Sequence, residues 1–120
     1  MGTSDRETAL RLLVQMPPSI PVLLSLLFEV MEAAIDSSYL PTIALAREIL
    51  SKYQTEQEVR SNIQLIAKGY LVTQDEWHYR RIAELYDLLN YEEELADFLR
   101  LCKASANVEI QEISDDFHQH

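Results

Sequence analysis

Glycine is almost absent from this chain, since Gly2 and Gly69 are the only two in 120 residues. Enzymes that alternate helices with a sheet usually need more glycine, for tight turns and for close approach of the backbone to a ligand. The scarcity therefore favours helices joined by short polar turns. Hydrophobic residues make up 48% of the chain, so we expect it to fold. The length suits a single helical domain, residues 1–120.

Patterns that start helices recur along the chain. A capping box, in which Ser or Thr is followed three residues later by Glu, occurs at residues 4–7, 55–58 and 73–76. Each box precedes a run of apolar residues at helical spacing. Pro17 and Pro18 cannot continue a helix, so they should end the first one. These signals predict helix starts near Ser4, Thr55 and Thr73.

The second predicted helix, residues 20–36, is the most apolar. Ser19 is a suitable N-cap, and Pro21 lies in the first turn, where its missing N–H has no cost. A helix that is apolar nearly all round either lies at the centre of a fold or binds a partner. We favour the central position. Its apolar residues are Leu23, Leu24, Leu26, Leu27, Phe28, Val30, Met31 and Ile35.

Four further breaks complete the helical pattern. Pro41 lies near the start of a third helix, Gly69 stands where a C-cap belongs, Asn90 marks a tight break, and Asn107 can cap a last helix. The sequence has no segment of alternating β-branched residues that would predict a strand instead. The sequence thus predicts an all-α fold of six to seven antiparallel helices, as an irregular bundle or a HEAT-like helical stack.

Two segments look alike, "EVRSNIQLIAKGY" (residues 58–70) and "EIQEISDDFHQH" (residues 109–120), about fifty positions apart. Each resembles the second helix of HEAT-like repeats, in which a turn leads into an aliphatic–Arg pair. That pair is present as Val59 and Arg60, but the later segment has Ile110 and Gln111. The period also exceeds the usual ~40–47 residues. An irregular helical stack describes the pattern equally well.

The formal net charge is −10, which argues against direct binding to nucleic acid or to an anionic membrane surface. Acidic residues concentrate in the last third of the chain. Between Glu84 and Asp116 there are ten carboxylates against two basic residues, Arg100 and Lys103. Such a surface either keeps the protein solvated or matches a basic partner.

The chain lacks signs of export. The longest apolar stretch, "IPVLLSLLFEVMEAAI", is interrupted by Ser25, Glu29 and Glu32 and is too short to span a bilayer. No basic-then-apolar signal segment begins the chain, so we expect a cytoplasmic protein. Cys102 is the single cysteine and lies at helical spacing from Phe98, which predicts a buried thiol without a disulfide.

Catalytic patterns are sparse. His78 is the only histidine in the body of the chain, and no Ser or Cys pairs with it in sequence. HExxH and CxxC patterns, glycine-rich phosphate loops and basic–aromatic interleaving are missing. His118 and His120 with Asp115 could hold a divalent ion adventitiously, but a chain end is a poor site. We therefore expect no catalytic residue, cofactor or metal, and predict that the protein is not an enzyme.

The stretch "TQDEWHYRRIAELYDLLNYEEEL" is the best candidate for a partner-binding surface, because Trp, Tyr and Arg dominate interface hot spots. Trp77 can stack on Arg81, and Arg80 or Arg81 can pair with Glu84. Tyr79 and Tyr86 lie off the stripe of Leu85 and Leu88, so we expect them to be exposed. The predicted contact residues are Trp77, Tyr79, Tyr86, Tyr91, Glu92, Glu93, Glu94, Asp97, Asp115 and Asp116.

The segments "WHYRRIAELYDLLNYEEELADFLRLCKAS" and "NVEIQEISDDF" form consecutive helices that end in an acidic one. In size, acidity and helical layout the chain is similar to the small helical immunity proteins that bacteria pair with secreted toxins. This resemblance implies a basic toxin or nuclease as partner, bound by an acidic and aromatic surface. The alternative is a helical scaffold, adaptor or regulatory subunit, which would dimerise through the apolar helix at residues 20–35. Charge reversal at Glu92, Glu93 and Glu94 should weaken binding without unfolding the protein.

Overall fold

The structure is a computed structural model that describes residues 2–117. Within this range the chain forms seven α-helices and no strand, which confirms the all-α prediction. The helices are α1 (Gly2–Gln15), α2 (Ile20–Ile35), α3 (Leu40–Ser51), α4 (Gln57–Gly69), α5 (Glu76–Leu88), α6 (Glu92–Lys103) and α7 (Val108–Asp116). None of these helices is both long enough and apolar enough to cross a membrane.

The chain divides into two compact units with a boundary between residues 66 and 67, inside α4. We call residues 1–66 the N-terminal unit and residues 67–120 the C-terminal unit. The single-domain organisation expected from the length stays a prediction, as does the HEAT-like repeat. The two units are built from different core residues.

In the N-terminal unit α3 packs against both α1 and α2. Arg6 of α1 pairs with Glu32 of α2 at 2.7 Å. The Tyr53 hydroxyl donates a 2.5 Å hydrogen bond to the carbonyl of Pro18, in the link between α1 and α2. The buried side chains are almost all aliphatic: Leu10, Leu23, Leu27, Val30, Met31, Ala33, Ala34, Ile35, Ile43, Ala46, Ile49, Leu50, Val59 and Ile63.

The helix starts in the N-terminal unit follow the sequence signals in part. Ser19 holds the N-cap position of α2 with Pro21 in the first turn, as predicted, although its side chain accepts no capping hydrogen bond from this helix. Two capping boxes are misplaced. Helix α1 already begins at Gly2, so Ser4 lies inside it, and α4 begins at Gln57, two residues beyond Thr55.

In the C-terminal unit α5, α6 and α7 each pack against the other two. Four aromatic rings in three contacting pairs lie in this packing. The ring of Phe98 lies 5.7 Å from that of Tyr79 and 6.0 Å, edge on, from that of Tyr86, and Tyr86 lies 6.4 Å from Tyr91. These are normal separations for aromatic pairs in cores. The core of this unit therefore combines a cluster of aromatic rings with aliphatic side chains such as Ile82, Leu85 and Ile113.

The break between α5 and α6 is a Schellman motif centred on Asn90. Asn90 takes the left-handed backbone conformation with φ 60°, which asparagine tolerates better than most residues. The N–H of Tyr91 donates to the carbonyl of Tyr86 at 3.0 Å, and the N–H of Asn90 donates to that of Asp87 at 3.2 Å. The predicted tight break at Asn90 is confirmed.

The ends of α4, α5 and α7 show which cap residues act. Asn107 caps α7 as predicted, accepting a hydrogen bond from the N–H of Glu109 at 2.9 Å. The cap of α5 is Asp75, which accepts from the N–H of Trp77, so the box starting at Thr73 is wrong. Gly69 is the last residue of α4, but its φ is not positive, so it ends the helix without a left-handed cap.

Candidate functional site

The C-terminal unit contains a groove of about 570 Å³. We call it the α6 groove, because α6 supplies half of its lining. A volume of this size lies within the range of ligand-binding clefts. The lining residues are Tyr86, Asp87, Asn90, Tyr91, Glu92, Leu95, Ala96, Leu99, Arg100, Lys103, Ser114 and Phe117.

One face of α6 runs the length of the groove. Glu92, Ala96, Leu99 and Lys103 follow one another at intervals of four, three and four residues, so they form a single stripe on the helix. At 1.5 Å per residue, Glu92 and Lys103 stand about 16 Å apart along the axis. The groove is therefore an elongated site with a carboxylate at one end and an ammonium group at the other.

The floor of the groove is formed by two buried tyrosines. Tyr86 and Tyr91 are 4% and 1% exposed, and Tyr79, earlier on α5, is 3% exposed. The expectation that Tyr79 and Tyr86 are exposed is wrong. As direct contact residues, the three tyrosines also offer almost no surface to a partner in this structure. Tyr86 and Tyr91 line the groove from beneath, whereas Tyr79 does not line it.

Hydrogen bonding explains how a tyrosine can be buried on α5. The hydroxyl of Tyr79 donates to the carbonyl of Leu71 at 3.2 Å and accepts from Nε2 of Gln74 at 3.0 Å. With its polar atom satisfied, the ring can contribute apolar area to the core. Burial, followed by the charge of Glu94 and the neighbouring Tyr91, raises the pKa of Tyr86 to about 12.

Trp77 and Arg81 stack on the outside of α5. The guanidinium carbon of Arg81 lies 4.1 Å from the centre of the Trp77 ring, which confirms the predicted stacking. Trp77 is 44% exposed and does not line the α6 groove. Arg80 bonds Glu76 at 3.5 Å and Asp116 at 2.6 Å, so it does not form the suggested pair with Glu84, whereas the alternative pair of Arg81 with Glu84 stays a prediction. The pair with Asp116 joins α5 to α7.

The predicted acidic contacts separate into three groups. Asp116 is bound by Arg80, and Asp97 is bound by Arg100. Glu92, Glu93 and Asp115 are exposed and have no ion-pair partner within residues 2–117. Glu94 is half-buried, and its negative charge contributes to the raised pKa of Tyr86. Of all these carboxylates, Glu92 is the one that lines the α6 groove.

Several groove residues were absent from the sequence prediction. They include the apolar wall of Leu95, Ala96, Leu99 and Phe117, and the charged groups Asp87, Arg100 and Lys103. The signal for part of this set was present in the α6 stripe, since Ala96 and Leu99 lie off the buried stripe of Leu95, Phe98 and Cys102. The contributions of α5 and α7 depend on tertiary packing and carry no local signal.

The groups that could carry chemistry lie away from the groove. His78 is half-buried, with its ring edge on to Tyr70 at 5.2 Å and its Nδ1 3.7 Å from Asp75. Cys102 is buried as predicted, and burial raises the pKa of its thiol to about 11, an effect that Arg80 partly offsets. Between residues 2 and 117 no cluster of His, Cys, Asp and Glu is suited to a metal. His118 and His120 lie outside the described residues.

No protein-family model, curated protein or solved structure matches this chain. Its class is therefore defined by the fold and the site: an all-α protein whose C-terminal helices enclose an elongated, aromatic-floored groove with charged ends.

Proposed function

We propose that this protein acts by binding a basic protein partner and catalyses no reaction. The observation that carries the proposal is the α6 groove, an apolar cleft next to exposed carboxylates without ion-pair partners among the described residues. A cleft of this kind supplies the desolvated apolar contact that dominates binding energy. The carboxylates orient the basic partner relative to the cleft.

Two carboxylates beside the groove are suited to recognising positive charge. Glu92 and Glu93 lie in the first turn of α6, and both are exposed. A carboxylate already held in an ion pair must give up its partner before it can bind a new one, and these two have none within residues 2–117. With a net charge of −10, the whole chain also attracts basic proteins at long range.

The resemblance to small helical immunity proteins suggests what the partner is. In such a pair the acidic protein neutralises a basic toxin or nuclease by covering its cationic surface, and it does so in the cytoplasm of the cell that makes it. The acidity and the aromatic-floored groove support this assignment. A toxin is accordingly the first partner to test.

A second candidate is self-association in the N-terminal unit. Dimerisation through the leucines of α2 loses its support, because Leu23 and Leu27 are buried. Other apolar side chains of this unit are nonetheless exposed, including Phe28 at 57% and Met16 at 69%. A scaffold or homodimer would use these residues, and its mass in solution would be close to twice 13.9 kDa.

The test is affinity capture from the source cell, at low and at high salt, with a matched pair of charge variants. The binding variant is Glu92→Gln/Glu93→Gln/Asp115→Asn, and the control is Glu29→Gln/Glu48→Gln/Glu58→Gln. All six carboxylates are exposed, so both variants lower the negative charge by three at surface sites. Glutamine is preferable to lysine, because lysine in the first turn of α6 would oppose the helix dipole.

We expect wild type and the control to capture the same basic protein at low salt and to lose it at high salt. The binding variant should capture several-fold less, since each exposed charge contributes about 0.2–1 kcal/mol. Equal capture by the two variants would exclude these carboxylates as the binding surface. Capture of nothing, together with a dimeric mass, would favour the second candidate.

A further inference from the structure

The charges of the α6 groove are separated by sign. Asp87, close to the end of α5, and Glu92, at the start of α6, stand at one end. Arg100 and Lys103, in the last turn of α6, stand at the other. Arg100 forms an ion pair with Asp97, while Lys103 has no ion-pair partner within residues 2–117. A ligand that lies along the groove therefore meets negative charge first and positive charge about 16 Å later.

Between these ends the wall is apolar. Leu99 and Phe117 are half-buried, so each still presents part of its side chain, and Ala96 is exposed between the two charged ends. The small side chain of Ala96 lets another backbone approach α6 closely at this point. A distance of 16 Å equals about 11 residues of α-helix, or three turns. This length and shape suit the apolar stripe of an amphipathic helix lying in a groove.

The charge order also fixes the direction of such a helix. A helix is most stable with acidic residues in its first turn and basic residues in its last turn, because these offset its dipole. If it runs antiparallel to α6, its acidic first turn lies beside Lys103 and its basic last turn beside Glu92. A parallel helix would match the groove only by opposing its own dipole. Antiparallel packing satisfies both requirements.

We propose that the α6 groove binds a partner's amphipathic helix of about three turns, antiparallel to α6, with its basic end at Glu92 and Asp87 and its acidic end at Arg100 and Lys103. The inference rests on the proposed function and assigns the partner's binding segment. The basic partner would contribute its positive charge through the last turn of this helix. Three or four apolar side chains would occupy the space beside Ala96, Leu99 and Phe117.

The probes for this proposal are two synthetic peptides of about 14 residues, long enough for three turns with end caps. The first has Glu in its first turn, Leu or Phe at i, i+4 and i+7, and Lys in its last turn. The second has the same composition with Glu and Lys exchanged. Binding is measured by fluorescence anisotropy, and direction by the NMR line broadening from a spin label at the peptide's N-terminus.

We expect the first peptide to bind wild type more tightly than the second, and its label to broaden amide signals around Lys103. Glu92→Gln and Lys103→Gln should each weaken it about threefold. The double exchange Glu92→Lys/Lys103→Glu should reverse the preference between the peptides. Ala96→Trp, which fills the groove, should abolish binding, whereas Ala44→Trp, at an exposed site on α3, should leave it unchanged. Circular dichroism checks that each variant is folded.

Tighter binding of the second peptide to wild type would overturn the charge order, and broadening around Glu92 would overturn the direction. Binding of neither peptide at ~1 mM, with capture of a basic protein intact, would overturn the binding of a helix in the groove and leave the proposed function standing. Peptide binding without capture of any basic protein would support the binding of a helix in the groove and contradict the proposed function. A dimeric mass that the peptide abolishes would show that a second copy occupies the groove, which also contradicts the proposal.

Discussion

The two units solve the same packing problem with different side chains. The core of the N-terminal unit is aliphatic apart from Tyr53 and Thr42 and is built from leucine, isoleucine, valine, methionine and alanine. The core of the C-terminal unit places Tyr79, Tyr86, Tyr91 and Phe98 at its centre. Aliphatic side chains interdigitate without polar requirements. Each buried tyrosine instead brings a hydroxyl that needs a hydrogen-bond partner.

This difference affects what each unit can do at its surface. A tyrosine hydroxyl needs a carbonyl or a water molecule as a hydrogen-bond partner, and such partners are found near the edge of the core. The rigid rings of a core that contains tyrosines therefore lie close to the surface of the protein. In the C-terminal unit two of these rings, Tyr86 and Tyr91, form the floor of the α6 groove. The fold of this unit and its candidate site therefore share residues. In the N-terminal unit the exposed apolar residues are separate from the core.

The strongest test of the aromatic core is Phe98→Ala. Phe98 is 6% exposed and contacts both Tyr79 and Tyr86, so its removal leaves a cavity at the centre of the C-terminal unit. We expect the free energy of unfolding, measured by urea denaturation, to fall by about 3–5 kcal/mol. The matched control is Phe28→Ala at a 57% exposed site, with an expected change within about 0.5 kcal/mol. Equal losses for both variants would contradict the assigned core.

Alkaline pH should destabilise the C-terminal unit through two groups. Burial raises the pKa of Cys102 to about 11 and that of Tyr86 to about 12. Above the usual pKa of each group the unfolded chain loses a proton that the folded protein retains, so stability falls as pH rises. The loss should run from about pH 9 to 11 for Cys102 and from about pH 10 to 12 for Tyr86.

For each group, the difference in pKa between the folded and the unfolded chain corresponds to a loss of at most about 3 kcal/mol in the free energy of unfolding. The measurement is the urea midpoint at a series of pH values, with tyrosinate absorbance as a second signal. Cys102→Ala should remove the loss that begins near pH 9, and Tyr86→Phe should remove the one that begins near pH 10. If both variants follow the wild-type pH profile, these groups are not the cause.

The Schellman turn at Asn90 determines where α6 begins. Alanine is strained in the left-handed conformation that Asn90 adopts, with φ at 60°. Asn90→Ala should therefore lower the free energy of unfolding by about 1–2 kcal/mol. Asn90→Gly tolerates the same backbone and should be neutral or slightly stabilising. Thermal unfolding of the pair distinguishes backbone strain from loss of the asparagine side chain. A loss as large for glycine as for alanine would point to the side chain.

The sequence located most of the helices because their signals are local. Pro21, Asn90 and Asn107 each act through the backbone of their own turn, so no tertiary information was needed to place them. Thr73 misled because Asp75, two residues later, is an equally good cap, and a box pattern cannot choose between them. Between the two lies Gln74, whose φ of 54° turns the chain just before α5.

The candidate site was harder to predict than the fold. On α5 the sequence separated two stripes, one through Leu85 and Leu88, of which Leu85 is also buried, and one through Tyr79 and Tyr86. The structure buries the second, because the Tyr79 hydroxyl finds the carbonyl of Leu71. That partner lies outside the helix and cannot be read from its periodicity. The groove also requires Ser114 and Phe117 from α7, so it exists only after three helices have packed.

Buried hydroxyls give the finest comparison between the two units. Thr42, in the N-terminal unit, is 1% exposed, and its hydroxyl has no hydrogen-bond partner in the described residues. Thr42→Val keeps the shape and removes an unsatisfied polar atom, so it should stabilise the protein by about 1 kcal/mol. Tyr79→Phe removes a hydroxyl that makes two hydrogen bonds and should destabilise it by about 1 kcal/mol. Urea denaturation at neutral pH measures both, and the same sign for the two substitutions would show that hydrogen bonding does not distinguish these two hydroxyls.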